Sequence, residues 1–255
     1  MKTLRLALTL FAVLLLAPAV FAKEPITIFL AGDSTMAPKQ ENKRPETGWG
    51  EQLQKQFDET RVRVDNHAAN GRSTKTFISE GRWQTLIDQV QAGDYVLIQF
   101  GHNDQSKEKG ERYTPPADFV KNLTRFVEEV RAKKATPVLL TPVMRRRFNK
   151  EGVFYDTHGE YPDLTRRVAA EQKVALIDMH RMSAKVLIKY GPEESRKLFL
   201  QLKAGENPNY PQGVEDNTHF SPLGADLMAE LAVEGIREQR LGLAKFLKKT
   251  AAAKR

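Results

Sequence analysis

The sequence predicts an α/β fold in which a five-stranded parallel sheet carries helices on both faces. Three observations predict it. Short runs rich in β-branched and aromatic residues recur along the chain, stretches of helical period separate them, and the gaps are long enough for crossover helices rather than hairpins. Such alternation, with right-handed crossovers, covers both faces of a parallel sheet.

Taken in order, strands are expected over residues 26–31, 62–66, 95–100, 137–141 and 174–178, because each run is apolar and bounded by turn residues. Helices are expected over 48–57, 73–90, 116–133, 163–172 and 221–239. In the third of these, Phe119, Leu123, Phe126, Val127 and Val130 fall at helical spacing and form a core-facing stripe. Trp49 and Trp83 also lie at helical spacing from other apolar residues and are assigned to the core. Residues 143–161 and 191–216 are rich in Gly, Pro and charge and read as long loops, which compact domains usually keep for function.

Composition narrows the function. The chain has 255 residues, 40% of them hydrophobic and 28% charged, with no Cys. These are globular values, and the missing Cys removes thiol nucleophiles, zinc ribbons and iron–sulfur clusters. Residues 1–22 have a basic start at Lys2 and Arg5, an apolar run from Leu6 to Leu16 and a small residue, Ala22, at the end, which reads as a secretory signal. Pro18 and Lys23 stop the run short of a membrane span, which needs about 20 apolar residues. The expectation is an exported protein, periplasmic or extracellular, with one domain over 23–244 and a basic tail over 245–255. Without the signal and the tail the net charge falls from +8 to +1, so the high isoelectric point belongs to the ends and nucleic acid is not the expected partner. No metal-ligand, paired-carboxylate or phosphate-loop pattern occurs, so no metal or cofactor is expected.

Ligands of open α/β sheets bind beyond the carboxyl ends of the strands, so the loops there are the place to look for chemistry. The first three are Gly32-Asp33-Ser34-Thr35, Asn70-Gly71-Arg72-Ser73 and Gly101-His102-Asn103-Asp104. Gly32 permits a tight turn that leaves Ser34 at a helix start, where its hydroxyl suits a nucleophile; taken alone, the residue reads equally as a helix N-cap. Gly71 offers a bare backbone N–H and Asn103 a neutral amide, and with the Ser34 N–H these would make an oxyanion hole.

A serine needs a base, and five His are available. Only His219 has a carboxylate at a turn spacing, Asp216 at i−3 in Asp216-Asn217-Thr218-His219, which can set the Nδ1 and leave Nε2 to the serine. Asp33, next to Ser34, points away at a sharp turn and is assigned to holding the loop.

The blocks Gly32-Asp33-Ser34-Thr35-Met36, Asn70-Gly71-Arg72-Ser73, Phe100-Gly101-His102-Asn103-Asp104 and Asp216-Asn217-Thr218-His219-Phe220 resemble, in order, the four blocks of the SGNH (GDSL-type) hydrolase superfamily, and most closely its rhamnogalacturonan acetylesterase branch. The resemblance covers nearly the whole mature chain. It implies a flavodoxin-like three-layer α/β/α fold with strand order 2-1-3-4-5, Ser34 as nucleophile, Ser34, Gly71 and Asn103 as oxyanion hole, and Asp216 with His219 as the base pair. It implies O-deacetylation of pectic saccharides through an acetyl-enzyme; the alternatives are an esterase, lipase or thioesterase of other acyl preference and a silent sugar-binding protein. Thr35-Met36 stands where lipases of the superfamily usually carry Leu, which favours the carbohydrate branch. In the loop after the fourth strand, Arg145, Arg146, Arg147 and Phe148 are candidate contacts to an acidic oligosaccharide, with a solvated basic face as the competing reading.

Overall fold

The structure, a computed structural model, describes residues 25–248. The expected signal over 1–22 and the last seven residues of the basic tail lie outside the described residues.

The sheet is built from β1 (Ile26–Gly32), β2 (Val62–Asn66), β3 (Tyr95–Gln99), β4 (Thr136–Leu140) and β5 (Ala175–Ile177), all paired in parallel in the order 2-1-3-4-5. Side chains alternate across a strand, and the core divides accordingly. Ile28, Leu30, Leu97, Val138 and Leu140 face one way, against α1 (Trp49–Gln52), α6 (Met179–Glu194) and α7 (Pro222–Glu238). Phe29, Ala31, Val96, Ile98 and Leu139 face the other, against α2 (Thr74–Ser79), α3 (Arg82–Ile87), α4 (Pro116–Ala132) and α5 (Tyr161–Glu171). The α4 stripe is buried from Phe119 to Val130 as expected, and both tryptophans are core residues.

Three expectations change. The helix expected over 73–90 is two short helices, because Gly81 takes a left-handed conformation (φ +71°) that no helix can continue through. The stretch from Met179 to Glu194, unassigned from sequence up to 190 and expected as loop from 191, is a helix kinked at Gly191, where φ is +69°. The loop expected over 191–216 contains most of an antiparallel hairpin, β6 (Phe199–Leu202) with β7 (Val214–Phe220). Its strands are short, and the Gly- and Pro-rich turn between them dominates the composition.

At the C-terminus, residues 245–248 belong to the packed body. Phe246 accepts from the Asp58 N–H at 3.0 Å, and the Lys248 N–H donates to Gln56 at 2.8 Å.

Candidate active site

β1 ends at Gly32, where a Cβ would stand only 2.9 Å from the Gln99 carbonyl oxygen, so glycine is needed for close strand approach. No helix follows. Asp33 closes one isolated turn by accepting from the Met36 and Ala37 N–H groups at 3.2 and 3.0 Å, and after a short 3-10 turn over Glu41–Lys43 the next α-helix begins at Trp49. Ser34 is therefore a turn residue rather than a helix N-cap, which corrects the helix start expected there. Asp33 does hold this loop: its Oδ1 accepts from the Thr35 N–H at 2.9 Å and hydroxyl at 2.8 Å.

Asp216 and His219 lie in a wide bulge of β7. Phe199 pairs with Phe220 and Gln201 with Glu215, so a single β6 residue stands opposite four residues of β7, and those four arch out of the ladder. Within the arch, Asp216 Oδ1 accepts from the Thr218 and His219 N–H groups at 2.6 and 2.9 Å, and Oδ2 lies 2.7 Å from His219 Nδ1. His219 Nε2 lies 2.8 Å from Ser34 Oγ. Burial raises the Asp216 pKa, but hydrogen bonds and charge from His219 and the two N–H groups outweigh it and bring the value down to about 2. The carboxylate is thus ionised throughout the neutral range, orients the ring and would favour an imidazolium if the ring took the serine proton.

Gly71, at φ +75°, and Asn103 close the site on the neighbouring loops. Among the described residues neither the Ser34 nor the Gly71 N–H meets a protein acceptor. Asn103 Nδ2 spends one proton on the Arg72 carbonyl at 3.0 Å, which fixes the amide and leaves the other proton free. Strand order puts β1 between β2 and β3, so these donors flank Ser34 from both sides.

Lys39 gave no signal in the sequence. Its buried ammonium lies 2.5 Å from the Ser34 carbonyl oxygen, 2.8 Å from Asn70 Oδ1 and 2.8 Å from Glu46 Oε1. One cation thereby ties the Ser34 loop to the Gly71 loop.

All five His have a carboxylate within 3.2 Å, so the i−3 spacing of Asp216 does not by itself single out His219. What does is contact with Ser34. His102 Nδ1 lies 3.1 Å from Asp33 Oδ2, and burial pushes its pKa down. Asp156, His158 and His180 form a cluster with atoms close enough to hold a metal ion. The Arg166 guanidinium, 3.2 Å from His180 Nδ1, can only donate, so Nδ1 holds the lone pair and Nε2 carries the proton that Asp156 accepts at 3.0 Å. A protonated Nε2 cannot ligate, so hydrogen bonds account for this cluster.

The cleft beside Ser34 measures about 1000 Å³ and is lined mainly by polar and charged residues. Of the four substrate candidates, Arg145 and Arg147 line it. Arg145 donates to Thr157 Oγ1 and the His102 carbonyl, both at 3.2 Å, while the Arg147 guanidinium makes no hydrogen bond among the described residues. Arg146 and Phe148 are not part of the cleft. Arg146 donates to Asn217 Oδ1 at 2.8 Å and to Pro192 and Ser195, bracing the arch that carries His219. Phe148 packs edge-on against Phe154 at 5.4 Å. Consecutive residues of an extended loop point in alternate directions, which is why half of the set turns inward. Tyr155, half exposed, joins the cleft from the same loop.

Residues 30–227 match the GDSL-like Lipase/Acylhydrolase family. The chain is 46% identical over 221 residues, 87% of its length and 94% of the relative's, to rhamnogalacturonan acetylesterase RhgT of Bacillus subtilis. It is 27% identical to a rhamnogalacturonan acetylesterase of Emericella nidulans, covering 82% of this chain and 84% of that one. Among solved structures, protein YxiM from Bacillus subtilis superposes with a TM-score of 0.73 at 28% identity, covering 86% of this chain and 58% of that one. Axe2, an acetylxylan esterase from Geobacillus stearothermophilus, shares the fold with a TM-score of 0.57 at 18% identity, over 84% of this chain and 94% of its own. A serine turn after β1, donors from the next two loops, an Asp–His pair ahead of the last helix and a family match across nearly the whole sheet agree, and the chain belongs to the GDSL-like Lipase/Acylhydrolase family.

Proposed function

We propose that the protein is a serine acetylesterase that removes O-acetyl groups from rhamnogalacturonan-type pectic saccharides, and that it works outside the cytoplasm. The observation that carries the chemistry is the unbroken line from Asp216 Oδ2 through His219 to Ser34 Oγ, with steps of 2.7 and 2.8 Å. The substrate class is supported by the similarity to RhgT, and a polar cleft suits an oligosaccharide better than an acyl chain. Export is supported by the signal-like residues 1–22.

In this reading Ser34 Oγ bonds to the acetyl carbonyl carbon as its proton passes to His219 Nε2. The carbonyl oxygen takes the negative charge and is held by the Ser34 and Gly71 N–H groups and the free Asn103 amide proton, the polarisation that a Lewis acid supplies in other hydrolases. The bond to the sugar oxygen breaks, and His219 protonates that oxygen as it leaves. Water then attacks the acetyl-enzyme, gives its proton to His219 and releases acetate, and the proton returns to Ser34. Acetate release across acetylated rhamnogalacturonan, homogalacturonan and xylan, with aryl acetates and butyrates alongside, tests the reading. Rhamnogalacturonan should give the highest kcat/KM, and a preference for xylan or for butyrates overturns it.

A further inference from the structure

The sequence placed the acidic-substrate contact in the loop after β4, but another arginine of the cleft lies directly against Gly71. Arg112 sits in the segment after β3, which includes a 3-10 turn over Lys107–Lys109 and folds back on itself through Arg112 N–H to Lys109 carbonyl (2.7 Å) and Thr114 N–H to Asp104 carbonyl (2.9 Å). Its guanidinium lines the cleft against Gly71. A Cβ on residue 71 would stand 2.9 Å from Arg112 Cζ, 3.0 Å from Nη1 and 3.1 Å from Nη2. Three nearly equal distances mean that the planar group presents its face to Gly71, since an edge-on approach would bring the nitrogens markedly closer than the carbon. Gly71 is therefore needed twice, for its positive φ and for the room that Arg112 occupies.

Guanidinium N–H bonds lie in the plane of the group, so a face-on arginine directs its donors sideways, along the cleft wall rather than into Gly71. Among the described residues none of them meets an acceptor, and no carboxylate pairs with the charge. Arg145, by contrast, spends donors on Thr157 and His102, and Arg146 spends its own on Asn217, Ser195 and Pro192. A half-buried guanidinium without a partner gives up hydration with nothing in return, unless a ligand supplies the acceptors. The fork geometry suits a carboxylate, which accepts two parallel N–H bonds. Lys107, Glu108 and Lys109 line the cleft from the same segment with a net charge of one positive.

We propose that Arg112 is a specificity-determining residue that binds the carboxylate of a uronic acid in the substrate, next to the acetyl group held at Ser34. This rests on the pectic reading above and deepens it. Arg112 then sets which sugar is presented to the nucleophile, and a neutral acetylated saccharide forgoes the contact.

The test compares wild type, Arg112→Gln and Arg112→Lys on two substrates, acetylated rhamnogalacturonan oligosaccharides and the same oligosaccharides with their uronates reduced to neutral sugars. Arg112→Gln should lower the acidic-to-neutral ratio of kcat/KM by roughly 10- to 100-fold, mainly through KM on the acidic substrate. Arg112→Lys should recover part of it, keeping the charge without the fork. A ratio unchanged in Arg112→Gln, whether both substrates suffer equally or neither suffers, overturns the proposal. If wild type hydrolyses aryl acetate but deacetylates neither oligosaccharide, the pectic reading has failed. The Arg112 site is then read from competitive inhibition of aryl acetate hydrolysis by oligogalacturonate: a Ki that rises at least tenfold in Arg112→Gln keeps the carboxylate site, and an unchanged Ki removes it.

Discussion

Asp216–His219 and Asp156–His158 share a carboxylate-to-imidazole distance of 2.7 Å, and both histidines line the same cleft. Their surroundings differ. The His219 side chain is 27% exposed and that of His158 only 1%, and His219 has Ser34 Oγ on its second nitrogen whereas His158 Nε2 is buried with no partner among the described residues. A proton on His158 Nε2 would have nowhere to donate, and burial pushes its pKa down to about 3 although Asp156 favours the charged ring. A carboxylate beside a histidine thus says little about catalysis. The second nitrogen must face a group whose proton it can take, and the imidazolium so formed must be tolerated.

The largest effect should separate the two histidines by rate. Ser34→Ala and His219→Ala should each lower kcat by at least about 10⁴-fold, because neither has a substitute, while His158→Gln should lower it less than about tenfold. Mapping a fluorophosphonate adduct checks the nucleophile, and a label on any serine other than Ser34 contradicts it.

The orienting carboxylates should differ next. Asp216→Ala should cost about 10³- to 10⁴-fold in kcat, since the ring loses both its tautomer and the charge that steadies its protonated form. Asp156→Ala should cost less than about tenfold. Equal losses would mean that the buried cluster shapes the site as much as the arch does.

Stability should then separate the pairs by pH. The unfolded chain protonates His158 near pH 6.5, whereas the folded chain resists until about pH 3, so its stabilising contribution is complete above pH 6.5 and is lost as pH falls from there towards 3, by at most about 1.4 kcal/mol per pH unit. Asp216, lowered from 3.8 to about 2, contributes above pH 3.8 and loses its contribution only as pH falls towards 2. Denaturant titrations between pH 7 and 3 should therefore show a shallower slope for His158→Gln than for wild type, and Asp216→Asn should follow wild type down to about pH 4. An identical slope for His158→Gln and wild type would remove the buried pair from the account.

The smallest expected effect is none. Because Arg166 fixes the lone pair of His180 away from Asp156, dialysis against EDTA should change neither Tm nor kcat. Activity lost to EDTA and regained with Zn²⁺ would turn the Asp156 cluster from a hydrogen-bonded brace into a metal site.

Local spacing made half of the active site legible. The turn after β1, the Asn70-Gly71 turn and the i−3 carboxylate of His219 are short-range patterns in which the backbone itself brings the groups together. The arch in β7 delivered the Asp216–His219 contact that the spacing required, although the surrounding hairpin was not read. Ser34 and His219 are 185 residues apart, and only the rule that parallel strands present their carboxyl ends on one rim, together with the family resemblance, joined them in advance.

The sequence by itself determined the alternation of strands and helices, the two-faced core, the loops in which Ser34, Gly71 and Asn103 stand and the i−3 pairing of Asp216 with His219, because hydrophobic periodicity and turn chemistry act over a few residues. Only the tertiary structure decided that Lys39 joins two loops, that Arg145 and Arg147 turn into the cleft while Arg146 and Phe148 turn away, and that Arg112 lies against Gly71 with no acceptor among the described residues. Long charged side chains reach several ångströms in directions that neighbouring sequence does not restrict, and their partners come from segments tens of residues away. Their roles are set by which surfaces the packed sheet brings together.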